Sequence, residues 1–163
     1  MLDLIRAFAS LARRRPDVSL DLVGDNRSYP HEDINAAIEG EGLGDRIRWH
    51  RYTTDAGLSD LYSKARGFAF LSEYEGLGLT PLEALAAGVP PVLYDTPIAR
   101  ESCGDAALYV PAGAPDASVS SALERVLFDE PARAAILNAA PDTLARYDWR
   151  RAARETLALL ERC

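Results

Sequence analysis

Residues 67–94 have the sequence GFAFLSEYEGLGLTPLEALAAGVPPVLY, and this stretch decides the fold. Its two ends, residues 67–71 and 91–94, are short apolar runs with aromatic residues, which are typical of strands buried on both faces of a parallel sheet. Between them lie a loop with two glycines and a segment typical of a short helix. The stretch therefore predicts a strand, a glycine loop, a helix and a second strand, in that order.

The helix within this stretch carries its own start and stop signals. Thr80 is a good N-cap, Pro81 suits the first helical position, and Glu83 completes a Thr-x-x-Glu capping box. Gly88 is expected to end the helix. The free backbone N–H groups at its start, from residues 78–80, should converge where the helix dipole favours an anion, most often a phosphate.

The rest of the chain repeats the alternation of strand and helix. Strands are predicted at residues 18–23, 47–50 and 106–110, and helices at residues 2–14 and 30–39 and after Thr54, Asp116 and Asp148, with Pro131 at the first position of another helix. This alternation predicts a parallel sheet with right-handed crossovers. The predicted fold is α/β, a Rossmann-like doubly wound sheet forming one domain over residues 1–163.

Composition limits the classes of function. The chain of 163 residues has 48% hydrophobic residues and a net charge of −7, so neither nucleic acid nor an anionic membrane is expected as the main partner. Two cysteines form no disulfide framework and suggest a reducing, cytoplasmic compartment. No apolar run approaches the roughly 20 residues of a membrane-spanning helix.

Four segments carry a resemblance to a known family. Residues 75–83 resemble the E-x7-E motif of retaining GT-B glycosyltransferases of family 4 (group 1), and similar family segments lie, in the same order, at residues 61–65, 101–110 and 147–149. The resemblance implies the C-terminal, donor-binding half of an enzyme that moves a hexose from a nucleotide-diphospho-sugar. The acceptor is open: a glycan, a lipid or a small molecule.

The order of elements suggests that the domain is partial. A doubly wound sheet of order 3-2-1-4-5-6 begins with a central strand, whereas this chain begins with a predicted helix. We therefore expect the first strand and the N-terminal acceptor domain to be missing, together with the cations that grip the diphosphate in the family and any peripheral membrane contact through that domain. The chain alone should be a poor catalyst, and its two open sheet edges should close together, recruit another chain or leave it marginally stable.

The resemblance also implies roles for individual residues. Glu83 matches the glutamate that binds the ribose hydroxyls, and Glu75 matches the catalytic glutamate that contacts the donor hexose. The other donor-binding residues form the loop and the helix start: Gly76, Leu77, Gly78, Leu79 and Thr80. Each has a plainer interpretation, because Glu83 suits a helix cap, Glu75 a solvated loop, and the glycines a tight turn.

Further pocket residues are expected where other strands end. Ser72 follows one strand, Gly24 ends another, and Arg51 and Tyr52 follow a third; ligands of such sheets bind at this edge. A turn or a surface loop also explains them. The sequence has no Asp-x-Asp motif, so we expect no metal, and no cofactor besides the nucleotide-diphospho-sugar substrate.

Two other classes of function remain as alternatives. The chain could be a non-catalytic module that binds a nucleotide-sugar or a partner while keeping the fold. A plain dinucleotide-binding domain, such as that of an oxidoreductase, is disfavoured because no Gly-x-Gly-x-x-Gly follows a first strand.

Overall fold

A computed structural model describes residues 1–26 and 33–162. Thirteen elements lie in this part of the chain: α1 (Leu2–Arg14), β1 (Leu20–Val23), α2 (Ile34–Gly40), β2 (Ile47–His50), α3 (Asp55–Lys64), β3 (Phe68–Phe70), α4 (Leu79–Ala86), β4 (Pro91–Tyr94), α5 (Pro97–Cys103), β5 (Leu108–Val110), α6 (Asp116–Phe128), α7 (Glu130–Leu144) and α8 (Trp149–Leu160). The predicted alternation is confirmed. The predicted start of α2 at residue 30 lies outside the described residues.

The strands form two separate parallel sheets. β1 pairs with β2, so that Leu20 lies opposite Ile47, and β3, β4 and β5 form a three-stranded sheet in that order. Among the described residues no strand ladder joins β1 to β3. Closure of the two edges, one of the three expected outcomes, is therefore not observed, and the break falls where a doubly wound sheet has its central strand.

Helix α1 bridges the two sheets. Its residues Ile5 and Phe8 belong to a core with β1, β2 and α2, whereas Ala7 and Leu11 belong to a core with α4, β4, β5, α6 and α7. Glu124 of α6 also accepts hydrogen bonds from both Arg14 and Arg15. Apolar burial on two sides of one helix thus holds the two sheets together.

The two strands that frame the central stretch differ in burial. All four residues of β4 are buried, as predicted. The prediction for β3 is wrong, because its three residues are only half-buried. β3 lies at an edge of the three-stranded sheet, with a neighbouring strand on one side only, whereas β4 lies in the middle.

Helix ends follow the predicted caps in part. Thr54 and Asp148 cap α3 and α8 through their side chains, as predicted. Asp116 does not cap α6, since it is already the first helical residue, and Pro131 occupies the second position of α7. None of the helices in the described ranges is long and apolar enough to cross a membrane.

Candidate functional site

The glycine loop leads directly into α4. Gly78 is the N-cap residue with φ +73° and ψ +57°, and Leu79 is the first helical residue. The left-handed backbone at Gly78 is strained for any residue with a Cβ atom. The predicted capping box is therefore wrong: Thr80 is already helical, Glu83 is one turn inside the helix, and no side chain caps α4.

The start of α4 keeps its unpaired N–H groups. Because Gly78 is the N-cap and Pro81 has no N–H, the N–H groups of Leu79 and Thr80 lack acceptors within the helix. At the other end, Gly88 has φ +76°, and the N–H groups of Gly88 and Val89 donate to carbonyls of the last turn. The predicted stop at Gly88 is confirmed as a Schellman motif.

Glu75 is held by a neighbour in the same loop. The Ser72 hydroxyl lies 2.8 Å from Glu75 Oε1 and 3.1 Å from the Tyr74 carbonyl oxygen. Ser72 follows β3, so this pair sits at the carboxyl edge of the three-stranded sheet. Glu75 is half-buried, so part of this residue is open to solvent.

Glu83 lies on an exposed surface of α4, beside α3. The Tyr62 hydroxyl of α3 is 3.5 Å from the Thr80 carbonyl oxygen. Burial, and secondly the negative charge of Glu83, raise the pKa of Tyr62 to about 12. The carboxylate of Glu83 is therefore near Tyr62 and open to solvent, where it can accept hydrogen bonds from a diol.

A small cavity lies beneath the loop. It has a volume of about 20 Å³ and is lined by Ser72, Glu75 and Gly78 from the loop side and by Ser102 and Cys103 from α5, among others. This is room for about one water molecule, so a nucleotide would bind on the open face of the loop. Burial raises the pKa of the Cys103 thiol to about 11, which makes it a poor nucleophile.

The remaining predicted pocket residues lie on the other sheet. Gly24 donates its N–H to the His50 carbonyl at 2.9 Å, Arg51 lies 3.4 Å from Asp25, and Tyr52 is 85% exposed. They occupy the carboxyl edges of β1 and β2. Within the described ranges no hydrogen bond or ion pair joins them to residues 72–83. The structure thus places the predicted residues of the loop and α4 in one continuous segment, whereas these three have no direct hydrogen bond or ion pair with it, and their role stays a prediction.

Helix α5 was not predicted. Its signal is present in the sequence as Thr96 followed by Pro97, a capping residue before a proline suited to the first helical turn. In the structure, Thr96 accepts a hydrogen bond from the Ala99 N–H. The missed helix contains Ser102, which is buried and donates to the Leu77 carbonyl at 2.6 Å. No local pattern predicts that contact, because its partners are 25 residues apart.

No group of three or more histidine, cysteine, aspartate or glutamate side chains able to hold a metal occurs in residues 1–26 and 33–162. The predicted independence from metals stays a prediction. In the same ranges, no arginine or lysine forms an ion pair or a side-chain hydrogen bond with residues 72–83. The groups at this site that could bind an anion are therefore backbone N–H groups, at the positive end of the dipole of α4.

Comparison with known proteins identifies the family of this chain. Residues 2–143 match the family described as "Glycosyl transferases group 1". A GDP-mannose:cellobiosyl-diphosphopolyprenol alpha-mannosyltransferase of Komagataeibacter xylinus is 32% identical over 97% of this chain and 41% of its own length. A D-inositol 3-phosphate glycosyltransferase of Corynebacterium urealyticum is 30% identical over 96% of this chain and 38% of its own length. The chain thus spans about two fifths of these relatives.

Solved structures show the same fold. HepE of Anabaena, in complex with UDP-glucose, has a TM-score of 0.83 and 21% identity, over 99% of this chain and 44% of its own. The C-terminal domain of a glycosyl transferase group 1 family protein (LpcC) from Francisella tularensis has a TM-score of 0.71 and 18% identity, over 89% of this chain and 77% of its own. The predicted α/β, Rossmann-like fold is confirmed.

Proposed function

The chain belongs to the glycosyl transferases group 1 family, and from that premise we propose that it is the donor-binding domain of a retaining glycosyltransferase. The donor is a nucleotide-diphospho-sugar, and a hexose is the group that moves. The relatives support this class of donor, because one is named for GDP-mannose and a solved neighbour holds UDP-glucose.

The observation that carries the proposal is the start of α4. Backbone N–H groups of Leu79 and Thr80 lie at the positive end of a helix dipole, next to a glycine loop at the carboxyl edge of the sheet. Transfer breaks the bond between the anomeric carbon and a diphosphate oxygen, so negative charge develops on the leaving diphosphate. Fixed dipoles directed at that charge stabilise the transition state.

The two glutamates are proposed to bind the other two parts of the donor, the ribose and the hexose. Glu83, exposed one turn into α4, is proposed to accept hydrogen bonds from the ribose diol. Glu75, held 2.8 Å from the Ser72 hydroxyl, is proposed to contact the hexose as the catalytic carboxylate. Gly76, Leu77 and Gly78 form the loop between them and present their backbone to the donor.

We further propose that catalysis needs more than this chain. No arginine or lysine side chain forms an ion pair or hydrogen bond with residues 72–83 in the described part of the chain, and loss of a single oxyanion-stabilising donor in other enzymes costs about 100- to 1,000-fold in rate. The chain alone should therefore bind the donor and turn it over slowly. The acceptor-binding domain of the proposed whole enzyme, and any membrane contact it makes, lie outside this chain.

Calorimetric titration of the purified chain with UDP and GDP tests the proposal, with Glu83→Gln as the variant and Glu73→Gln as the matched control. Glu73 is an exposed carboxylate of the same segment outside the motif. A charge-assisted hydrogen bond contributes about 1.5–3 kcal/mol, and since Glu83 is exposed we expect the lower value, about a tenfold loss of affinity.

The control should bind as the wild type does, and EDTA should change neither titration. Equal affinity of Glu83→Gln and wild type would reduce Glu83 to a structural residue of α4. Absence of binding of both nucleotides to the wild type would refute the proposed function itself.

A further inference from the structure

The hydroxyl of Ser102 connects α5 to the glycine loop. Ser102 is 2% exposed, and its Oγ donates a hydrogen bond of 2.6 Å to the carbonyl oxygen of Leu77. Leu77 itself is 46% exposed, so its side chain is not what fixes its position. Ser102 was part of a family-like segment in the sequence, but no role was predicted for it.

Ser102 is itself held from the opposite side. The Arg146 guanidinium, which follows α7, donates to the carbonyls of Glu101 and Ser102 at 2.9 and 2.7 Å, and the Tyr147 hydroxyl donates to the Ser102 carbonyl at 3.3 Å. These carbonyls belong to the last turn of α5 and have no partner within the helix. The end of α5 is therefore fixed before it contacts the loop.

The contact determines how one peptide group is oriented. In a trans peptide the C=O of Leu77 and the N–H of Gly78 point in opposite directions. Because Ser102 holds the Leu77 oxygen toward α5, the Gly78 N–H is turned away from α5, to the outer side of the loop. That orientation adds a third N–H to those of Leu79 and Thr80 at the start of α4.

Other hydrogen bonds do not duplicate this one. Within the described residues 72–78, the other side-chain hydrogen bonds come from Ser72, which is part of the same segment. No side chain caps α4 either. Ser102 is thus the group that ties the loop to a neighbouring helix.

We propose that Ser102 is a positioning residue for the phosphate group of a nucleoside diphosphate, acting through the Leu77–Gly78 peptide. This rests on the proposed donor-binding function. Ser102 does not touch the ligand; it keeps the Gly78 N–H directed outward in the free protein. Removal of its hydroxyl frees the peptide to rotate, and part of the binding free energy must then restore the orientation.

The test compares Ser102→Ala with Ser102→Thr and Ser120→Ala. Ser120 is a matched control, since it is a helical serine of α6, 1% exposed, that accepts a hydrogen bond from Arg14 at 3.2 Å. Affinities for UDP and GDP are measured by calorimetry. Amide chemical shifts are recorded at residues 78–80 in the free protein, a local readout of peptide orientation that a general loss of stability does not move selectively.

Loss of one neutral hydrogen bond corresponds to about a 2- to 10-fold weaker affinity. We expect that loss in Ser102→Ala, together with changed amide shifts at residues 78–80, and recovery of both in Ser102→Thr. Ser120→Ala should leave both unchanged. Wild-type affinity in Ser102→Ala, or an equal loss in Ser120→Ala, would overturn the role of Ser102. Absence of nucleotide binding by the wild type would instead refute the donor-binding function and, with it, this role.

Discussion

Substitutions at Gly78 and Gly88 distinguish an effect on nucleotide binding from an effect on the stability of α4. They flank the same helix, at φ +73° and +76°. A Cβ atom at Gly78 would lie 3.9 Å from the Ser102 hydroxyl, an ordinary contact, and one at Gly88 would meet nothing within 4 Å. Replacement of either glycine by alanine therefore introduces backbone strain without a steric clash.

The magnitude follows from that strain. A left-handed backbone costs an L-residue about 1–2 kcal/mol, and alanine recovers about 0.4–1 kcal/mol by restricting the unfolded chain. Both variants should lose about 1 kcal/mol of unfolding free energy, which corresponds to about 2–4 °C in Tm for a chain of this size. Urea denaturation measures this loss directly.

Nucleotide binding should distinguish the two variants. In Gly78→Ala the loop can relieve the strain by rotating the peptide that carries the N–H of residue 78. Nucleotide binding must then restore the original orientation of that peptide, and we expect about a fivefold loss of affinity for UDP or GDP. Gly88→Ala changes the far end of the helix and should bind as the wild type does. Equal affinity of both variants, or an equal loss in both, would refute the assignment of the phosphate to the start of α4.

Two further predictions concern groups away from the loop. Hydrogen bonds from Arg14 and then Arg15 lower the pKa of Glu124. The stabilising contribution of Glu124 is therefore present above the unfolded pKa of about 4.3 and is lost as the pH falls through the folded value. Glu124→Gln should lower Tm at pH 7 more than at pH 3, and equal losses at both pH values would contradict this. Because the pKa of the buried Cys103 thiol is about 11, a Cys163→Ser variant should resist iodoacetamide at pH 8 until it is unfolded, and rapid modification of the native protein, seen by mass spectrometry, would contradict the burial of Cys103.

The order of elements could be predicted because each depends on local pattern. Helix α1 and strand β2 have the predicted bounds, and Thr54 and Asp148 cap the helices that follow them. These features depend on periodicity and on side-chain to backbone hydrogen bonds a few residues apart. The stop at Gly88 is of the same kind, since a Schellman motif needs one residue with positive φ.

The start of α4 could not be predicted from the same kind of signal. The Thr80 capping box is a good local pattern, but the helix begins at Leu79, after a glycine with a left-handed backbone. The residue before that glycine accepts the hydrogen bond from Ser102 to its carbonyl, and the two partners are 25 residues apart in the chain. No local pattern contains that contact, which lies at the candidate site.

The burial of β3 also depended on information beyond local pattern. The run Phe68–Phe70 is apolar enough for an interior strand, yet β3 pairs only with β4 and stays half-buried. The same is true of Gly24, Arg51 and Tyr52, whose strand-end positions were predicted but whose sheet is separate from that of the loop. Which strands become neighbours is set by the whole chain.

Amide chemical-shift mapping of the isotope-labelled chain, during titration with UDP and GDP, locates the bound nucleotide directly. If the diphosphate binds at the start of α4, saturable shifts with at least one nucleotide are largest at the N–H groups of Gly78, Leu79 and Thr80, with smaller shifts near Glu83. Shifts centred on another part of the chain, or no shift with either nucleotide at millimolar concentration, would contradict donor binding at this site.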